Sequence, residues 1–162
     1  MQAEKNRSAD DESCDESWMR AALAEAERAE AADEVPVGAV VVSGARIVGR
    51  GHNAPLSLND PTAHAEVLAL RQSAREMRNY RLVDTTLYTT VEPCLMCMGA
   101  MLHARVKRVV FGCFDPKAGA AGSLYNLPMD TRLNHRLEVT SGIGAEESRA
   151  LLHRFFRDKR QH

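Results

Sequence analysis

Apolar positions along the chain follow two periods. Trp18, Ala22, Leu23, Ala26 and Ala29 fit one face of an alanine-rich helix from Trp18 to about Asp33, which Pro36 helps to end. Residues 37–42 then form a short apolar run rich in β-branched side chains, the pattern of a buried strand. Ser43-Gly44 marks a turn and residues 47–51 return as a second strand, so the two predict a hairpin. After a loop from Asn53 to Asp60, Asp60-Pro61 predicts a helix start, with aspartate as cap and proline first in the helix, which runs to about Arg78. Residues 87–91 predict a third strand, Pro93 opens a helix ending near His103, and residues 106–112 predict a fourth strand. Residues 113–136 are loop-rich, residues 137–140 predict a fifth strand, and a closing helix runs from Ala145 to about Lys159. Strands alternating with helices predict a layered α/β fold around a central mixed sheet.

Length and charge refine this outline. A chain of 162 residues suits one domain with a real core. Residues 1–16 are polar and acidic without apolar periodicity and are expected to be a disordered tail, leaving residues 17–162 as a single domain. The net charge of -1 hides an asymmetry: residues 1–34 carry 4 basic and 11 acidic side chains, and the remainder carries 17 basic and 11 acidic. A basic body is compatible with a polyanionic partner, although on charge alone a solvated surface is the first reading. No apolar run approaches the roughly 18–20 residues of a membrane span. The N-terminal segment has no signal-peptide core, so a cytoplasmic location is expected.

The four cysteines, Cys14, Cys94, Cys97 and Cys113, read poorly as a disulfide framework in such a setting. Cys94 and Cys97 stand three apart at a predicted helix start, where both sulfurs share one side of the first turn and the helix dipole favours thiolate. Alone, this pair is also compatible with a redox motif or half of a structural zinc site. His64 and Glu66, at the start of the other predicted helix, change the balance. His64, Cys94 and Cys97 make three zinc ligands and leave a fourth tetrahedral position for water, the catalytic pattern. Glu66 is the candidate base, although residues two apart on a helix point about 200° away from one another. Their convergence requires a metal beyond the helix end, between two helix N-termini.

His64-Ala65-Glu66 together with Pro93-Cys94-Leu95-Met96-Cys97 is the signature of the zinc deaminases. Within that superfamily the chain resembles the bacterial tRNA-specific adenosine deaminases from roughly Trp18 to Arg160. The supporting stretches include Glu34-Val35-Pro36-Val37-Gly38-Ala39-Val40, Gly51-His52-Asn53, Asp60-Pro61-Thr62-Ala63-His64-Ala65-Glu66, Gly119-Ala120-Ala121-Gly122-Ser123 and Leu133-Asn134-His135. The last two are the more specific part, because the zinc motifs are shared with cytosine and guanine deaminases. The resemblance implies a three-layer α/β/α cytidine-deaminase-like fold with a mixed five-stranded sheet. It also implies a homodimer holding one Zn2+ per subunit and converting the wobble adenosine of a tRNA anticodon stem-loop to inosine. It assigns His64, Cys94 and Cys97 to zinc, Glu66 to proton transfer, Asn53 to substrate binding, and Asp115 to the nucleotide backbone. Cys113-Phe114 before Asp115 departs from the family pattern and bears on flanking-nucleotide preference. Two other readings stay open: a deaminase of a free base or nucleoside, and a zinc-stabilised RNA-binding module without catalysis.

Overall fold

The computed structural model describes residues 8–162 and holds five strands in one sheet: β1 (Gly38–Ser43), β2 (Arg46–His52), β3 (Thr85–Val91), β4 (Arg108–Cys113) and β5 (Glu138–Ser141). Their order is β2-β1-β3-β4-β5. β1 pairs antiparallel with β2, as the turn at Ser43-Gly44 predicts, and antiparallel with β3. β3, β4 and β5 run parallel to one another, so the sheet is mixed. Five α-helices accompany it: α1 (Ala9–Ala31), α2 (Pro55–Leu58), α3 (Ala65–Met77), α4 (Leu95–His103) and α5 (Ala145–Arg160).

The period-two pleat sorts the apolar residues of the central strands onto two faces. Val41, Leu87, Val109 and Phe111 pack with Ala65, Ala69 and Leu70 of α3 and with Cys97, Met98 and Met101 of α4. The alternate residues Val40, Val42, Tyr88 and Val110 pack with Met19 and Ala22 of α1 on the opposite face. Burial on both faces explains why β1 reads as an unbroken apolar run and not as an alternation. The result is an α/β/α sandwich. α3 lies close against β2, because a Cβ at Gly51 would overlap the Ala65 carbonyl at the start of that helix. This contact fixes where the helix begins, and therefore where His64 emerges.

Several boundaries depart from the sequence expectation. α1 starts at Ala9, inside the stretch expected to be a disordered tail; residues 1–7 of that stretch lie outside the described residues. Ser8 caps the helix by accepting from the Asp11 amide, and Asp10, Asp11 and Glu12 complement the dipole of its first turn. Asp15, buried, receives both Arg108 guanidinium nitrogens at 3.0 and 2.6 Å and the Tyr88 hydroxyl at 2.7 Å. A run of acids reads as solvated until one of them meets a distant arginine. Asp60 does not cap α3. Its carboxylate accepts from the Thr62 amide and hydroxyl at 2.8 and 2.7 Å, closing a local turn, and His64 is the cap residue. The segment 53–60 contains the short α2, with Pro55 in its first turn. Pro93 likewise precedes the helix it was expected to open: Cys94 is the cap residue of α4.

Glu34 caps α2 from a distance. It is 2% exposed and accepts from the Leu56 amide, the Ser57 amide and the Ser57 hydroxyl at 3.1, 2.9 and 2.8 Å. Burial opposes its charge, but these bonds outweigh burial and hold the carboxyl below its ordinary value. A depressed folded-state pKa adds stability that is fully present above the unfolded value of about 4.3 and is lost as pH falls through the folded value. Glu34→Gln should therefore lower the denaturant midpoint at neutral pH, and the gap from the unsubstituted protein should close as the pH is brought below that folded value. A gap that stayed constant from pH 7 downward would contradict the assignment.

Candidate metal centre and active site

His64 and Cys94 occupy equivalent places in two different helices. Each is the cap residue before its helix, in extended backbone with φ and ψ of -75° and 149° for His64 and -77° and 176° for Cys94. Their side chains leave the chain before the helical twist begins, which removes the divergence expected of residues two apart on a helix. Glu66 and Cys97 follow in the first turns of α3 and α4. The structure thus brings all four residues to one place, where two helix N-termini meet. His64 Nδ1 lies 3.5 Å from Cys94 Sγ and 3.5 Å from Cys97 Sγ, and the two sulfurs are 3.7 Å apart.

This triangle can be tested against zinc geometry. Tetrahedral Zn2+ with Zn–S of about 2.3 Å and Zn–N of about 2.05 Å demands S···S edges of about 3.8 Å and S···N edges of about 3.6 Å. All three observed edges fall within about 0.1 Å of those lengths. Soft thiolates and an imidazole are also the donor set that zinc prefers. Among the described residues, His64, Cys94 and Cys97 are the one group of three or more such side chains with converging ligand atoms. Cys14 is exposed and Cys113 is buried with its sulfur toward the Thr90 carbonyl, so neither supplies a fourth ligand here.

Protons are unevenly shared in the triad. The bond with Cys97, offset in part by burial and helped by His64, pulls the Cys94 thiol down to about 4. The Cys94 partner and burial push the Cys97 thiol upward. The bond to Cys94 outweighs burial and raises His64. A dication replaces these protons, so zinc uptake is coupled to proton release.

Glu66 is 4% exposed, and burial raises its carboxyl above the ordinary range. Oε2 lies 3.4 Å from Cys97 Sγ, and Oε1 accepts from the Thr89 hydroxyl at 3.2 Å. Thr89, fully buried in β3, is a site residue that sequence reading misses, because threonine in a β-branched run looks like strand filler. Its hydroxyl also lies 3.3 Å from the Val91 carbonyl. One hydroxyl hydrogen can serve one acceptor at a time, so Thr89 can donate to an ionised Glu66 or turn to Val91 and accept from a protonated one.

Asn53 sits at the entrance to the same helix: its side-chain oxygen accepts from the Ala65 amide at 3.3 Å, leaving the NH2 group as what it offers outward. Asp115 stands further out, in the loop after β4. One of its oxygens accepts from the Lys117 and Ala118 amides at 3.0 and 3.2 Å, so half of the carboxylate is committed to its own turn. That loop returns to the metal ligands, since Gly119 bridges to Cys94 and the Ala120 amide donates to the Pro93 carbonyl at 2.9 Å. Basic residues of α5, part of the basic body, are partly engaged with α1 and the turn that follows it. Arg154 pairs with Glu30 and Lys159 with Asp33, both at 2.7 Å.

Residues 12–113 match the cytidine and deoxycytidylate deaminase zinc-binding region. A tRNA-specific adenosine deaminase of Haemophilus influenzae is 53% identical over 148 residues, covering 91% of this chain and 86% of that protein. The chain belongs to the tRNA-specific adenosine deaminase family. A solved structure from a study of A-to-I editing by tRNA:A34 deaminases superposes with a TM-score of 0.81 at 40% identity, covering 84% of this chain and 99% of that one. That agreement covers most of the α/β/α sandwich. A guanine deaminase structure from Bacillus subtilis is more distant, with a TM-score of 0.61 at 39% identity and coverage of 67% and 69%. The fold is thus shared in part with a deaminase of another base.

Proposed function

We propose that this chain hydrolyses adenosine to inosine at the wobble position of a tRNA anticodon stem-loop, with one Zn2+ per subunit of a homodimer, in the cytoplasm. The observation that carries the reading is the His64–Cys94–Cys97 triangle with buried Glu66 at its edge, in a chain of the tRNA deaminase family. Zinc held by the triangle would supply Lewis-acid chemistry and a bound, acidified water at its open position.

Glu66 handles the protons. Its carboxylate accepts one from the attacking water and delivers it to N1 of the adenine ring as C6 takes up the oxygen. It then accepts the proton of the new C6 hydroxyl and delivers it to the exocyclic amine. Ammonia departs, C6 keeps a carbonyl, and water plus adenosine balance inosine plus ammonia. One carboxyl serves as base and then as acid. Burial, which raises Glu66, suits the acid steps. Thr89→Val removes the donor that orients Glu66 Oε1 and should lower kcat about 10-fold while leaving zinc content unchanged. An unchanged kcat would remove Thr89 from the site.

The target base must leave the stack to reach this buried carboxylate. The Asn53 NH2 is placed to meet a base edge or ribose, and the uncommitted Asp115 oxygen to accept from a 2′-hydroxyl, which favours RNA over DNA. Phe114 and Tyr125, 52% and 53% exposed on the same loop, suit stacking with flanking bases. A groove of about 300 Å3 between α3 and α4, lined by Val67, Leu70, Ala74 and Ala100 with Tyr80 at its rim, is the surface we assign to the second subunit; sedimentation reads the assembly directly. No helix among the described residues is long and apolar enough to cross a membrane.

The deciding experiment offers the purified protein an anticodon stem-loop RNA and, separately, free adenosine, guanine and cytosine. Ammonia released with the stem-loop alone, with an adenosine-to-inosine change at the first anticodon position, is the expected result. Release from a free base with no change in the RNA would sink the reading.

A further inference from the structure

Glu92 immediately precedes Pro93-Cys94, carries no ligand atom of the metal triangle, and is 3% exposed. A buried carboxylate requires partners. Among the described residues, the hydrogen-bond partners of the Glu92 carboxylate all come from one loop, residues 115–123. Oε1 accepts from the Asp115 amide at 3.0 Å and from the Ser123 hydroxyl in a very short bond. Oε2 accepts from the Ala121 and Ser123 amides, each at 3.0 Å. Gly119 passes directly beneath, where a Cβ would overlap the carboxylate. The residues tied down include both ends of the loop, and the backbone of Asp115 is one of them.

We propose that Glu92 is the positioning residue that sets this loop against the metal-ligand turn, and so determines how tightly the RNA around the target nucleotide is held. The inference rests on the proposed RNA substrate. Two observations separate the loop from the proton chemistry. Glu92 makes no hydrogen bond to Glu66 or Thr89. Cys94 has a hold of its own besides its bridge to Gly119, because its carbonyl receives the Met98 amide at 2.9 Å inside α4. Loss of the Glu92 contacts therefore disturbs Asp115, Phe114 and Tyr125 more than the metal ligands.

Glu92→Gln makes a selective test. A glutamine offers one oxygen and one NH2 group. With the oxygen kept toward the Ala121 and Ser123 amides, the NH2 can still donate to the Ser123 hydroxyl, which is able to accept. Only the Asp115 amide is left facing a donor. The Glu92→Gln protein should show a KM for stem-loop RNA raised about 10-fold, with kcat changed less than about 3-fold and zinc content equal to that of the unsubstituted protein. In a double-mutant cycle with Asp115→Asn, the two KM effects should be non-additive, which a general structural defect would not produce. Gly119→Ala crowds the same carboxylate from the loop side and should give the same KM-dominated defect, so the test survives if Glu92→Gln fails to fold. A fall in kcat with loss of zinc, additive effects with Asp115→Asn, or a KM unchanged in both variants would each overturn the proposal. If the unsubstituted protein edits no stem-loop, the substrate reading fails and this inference fails with it; normal editing with an unchanged variant KM overturns this inference alone.

Discussion

Glu66→Gln should reduce kcat by about 10^4-fold and leave both fold and zinc content in place. The size of the effect follows from the number of steps that pass through one carboxyl. In the proposed mechanism Glu66 removes a proton from water, protonates N1, and carries a second proton from oxygen to nitrogen, and at 4% exposure no bulk water stands ready to replace it. Retention of the fold follows from shape: glutamine fills the same volume, keeps an oxygen for the Thr89 hydroxyl, and places its NH2 near the Cys97 sulfur. Glu66→Ala would combine the chemical loss with a cavity between α3 and α4, so the isosteric change is the cleaner measurement. Single-turnover kinetics on stem-loop RNA, with metal analysis of the same sample, checks it. A variant with full zinc and turnover within about 10-fold of normal would mean that another group moves the protons.

How much of this site is legible in the chain depends on whether a residue works through local or distant partners. The candidate zinc ligands are legible because their chemistry is in the spacing: a cysteine pair three apart, and a histidine two residues before a glutamate. The apolar β-branched runs of β1 and β4 likewise mark strands buried on both faces, which carry the two-faced core. Helix starts are less legible, since Asp60-Pro61 and Pro93 look like starts of a kind the backbone does not use there. Asp60 spends its carboxylate on Thr62, and the true cap residues are two metal-ligand candidates that no propensity would nominate. Thr89, Glu92 and Asp15 are not legible at all. Their partners lie 23, 23 to 31, and 73 to 93 residues away, respectively. A buried polar residue of this kind reads as strand filler, a dipole-facing acid or a solvated tail until the fold brings its partner to it.

The three-ligand geometry also fixes what removal of the metal should do. Chelation at neutral pH should abolish turnover, by at least about 10^3-fold, while far-UV dichroism and a cooperative thermal transition persist, and added Zn2+ should restore activity. A structural site with four ligands commonly provides folding energy outright, and its loss unfolds the domain. Here both core clusters consist chiefly of apolar side chains, and Cys97 is the one candidate ligand that lies buried within them. The melting temperature should fall by the linkage contribution alone, about 2.7 kcal/mol of stability for each hundredfold by which free zinc exceeds its Kd, and for the next hundredfold the same again. The proton count offers a second readout, because zinc takes thiolate, and the Cys94 partner and burial push the Cys97 thiol upward. Zinc binding measured calorimetrically in buffers of different ionisation enthalpy should therefore release at least one proton per ion near neutral pH. Loss of the cooperative transition on chelation would instead make zinc a structural element of the sandwich, and the open-site argument for catalysis would have to be abandoned.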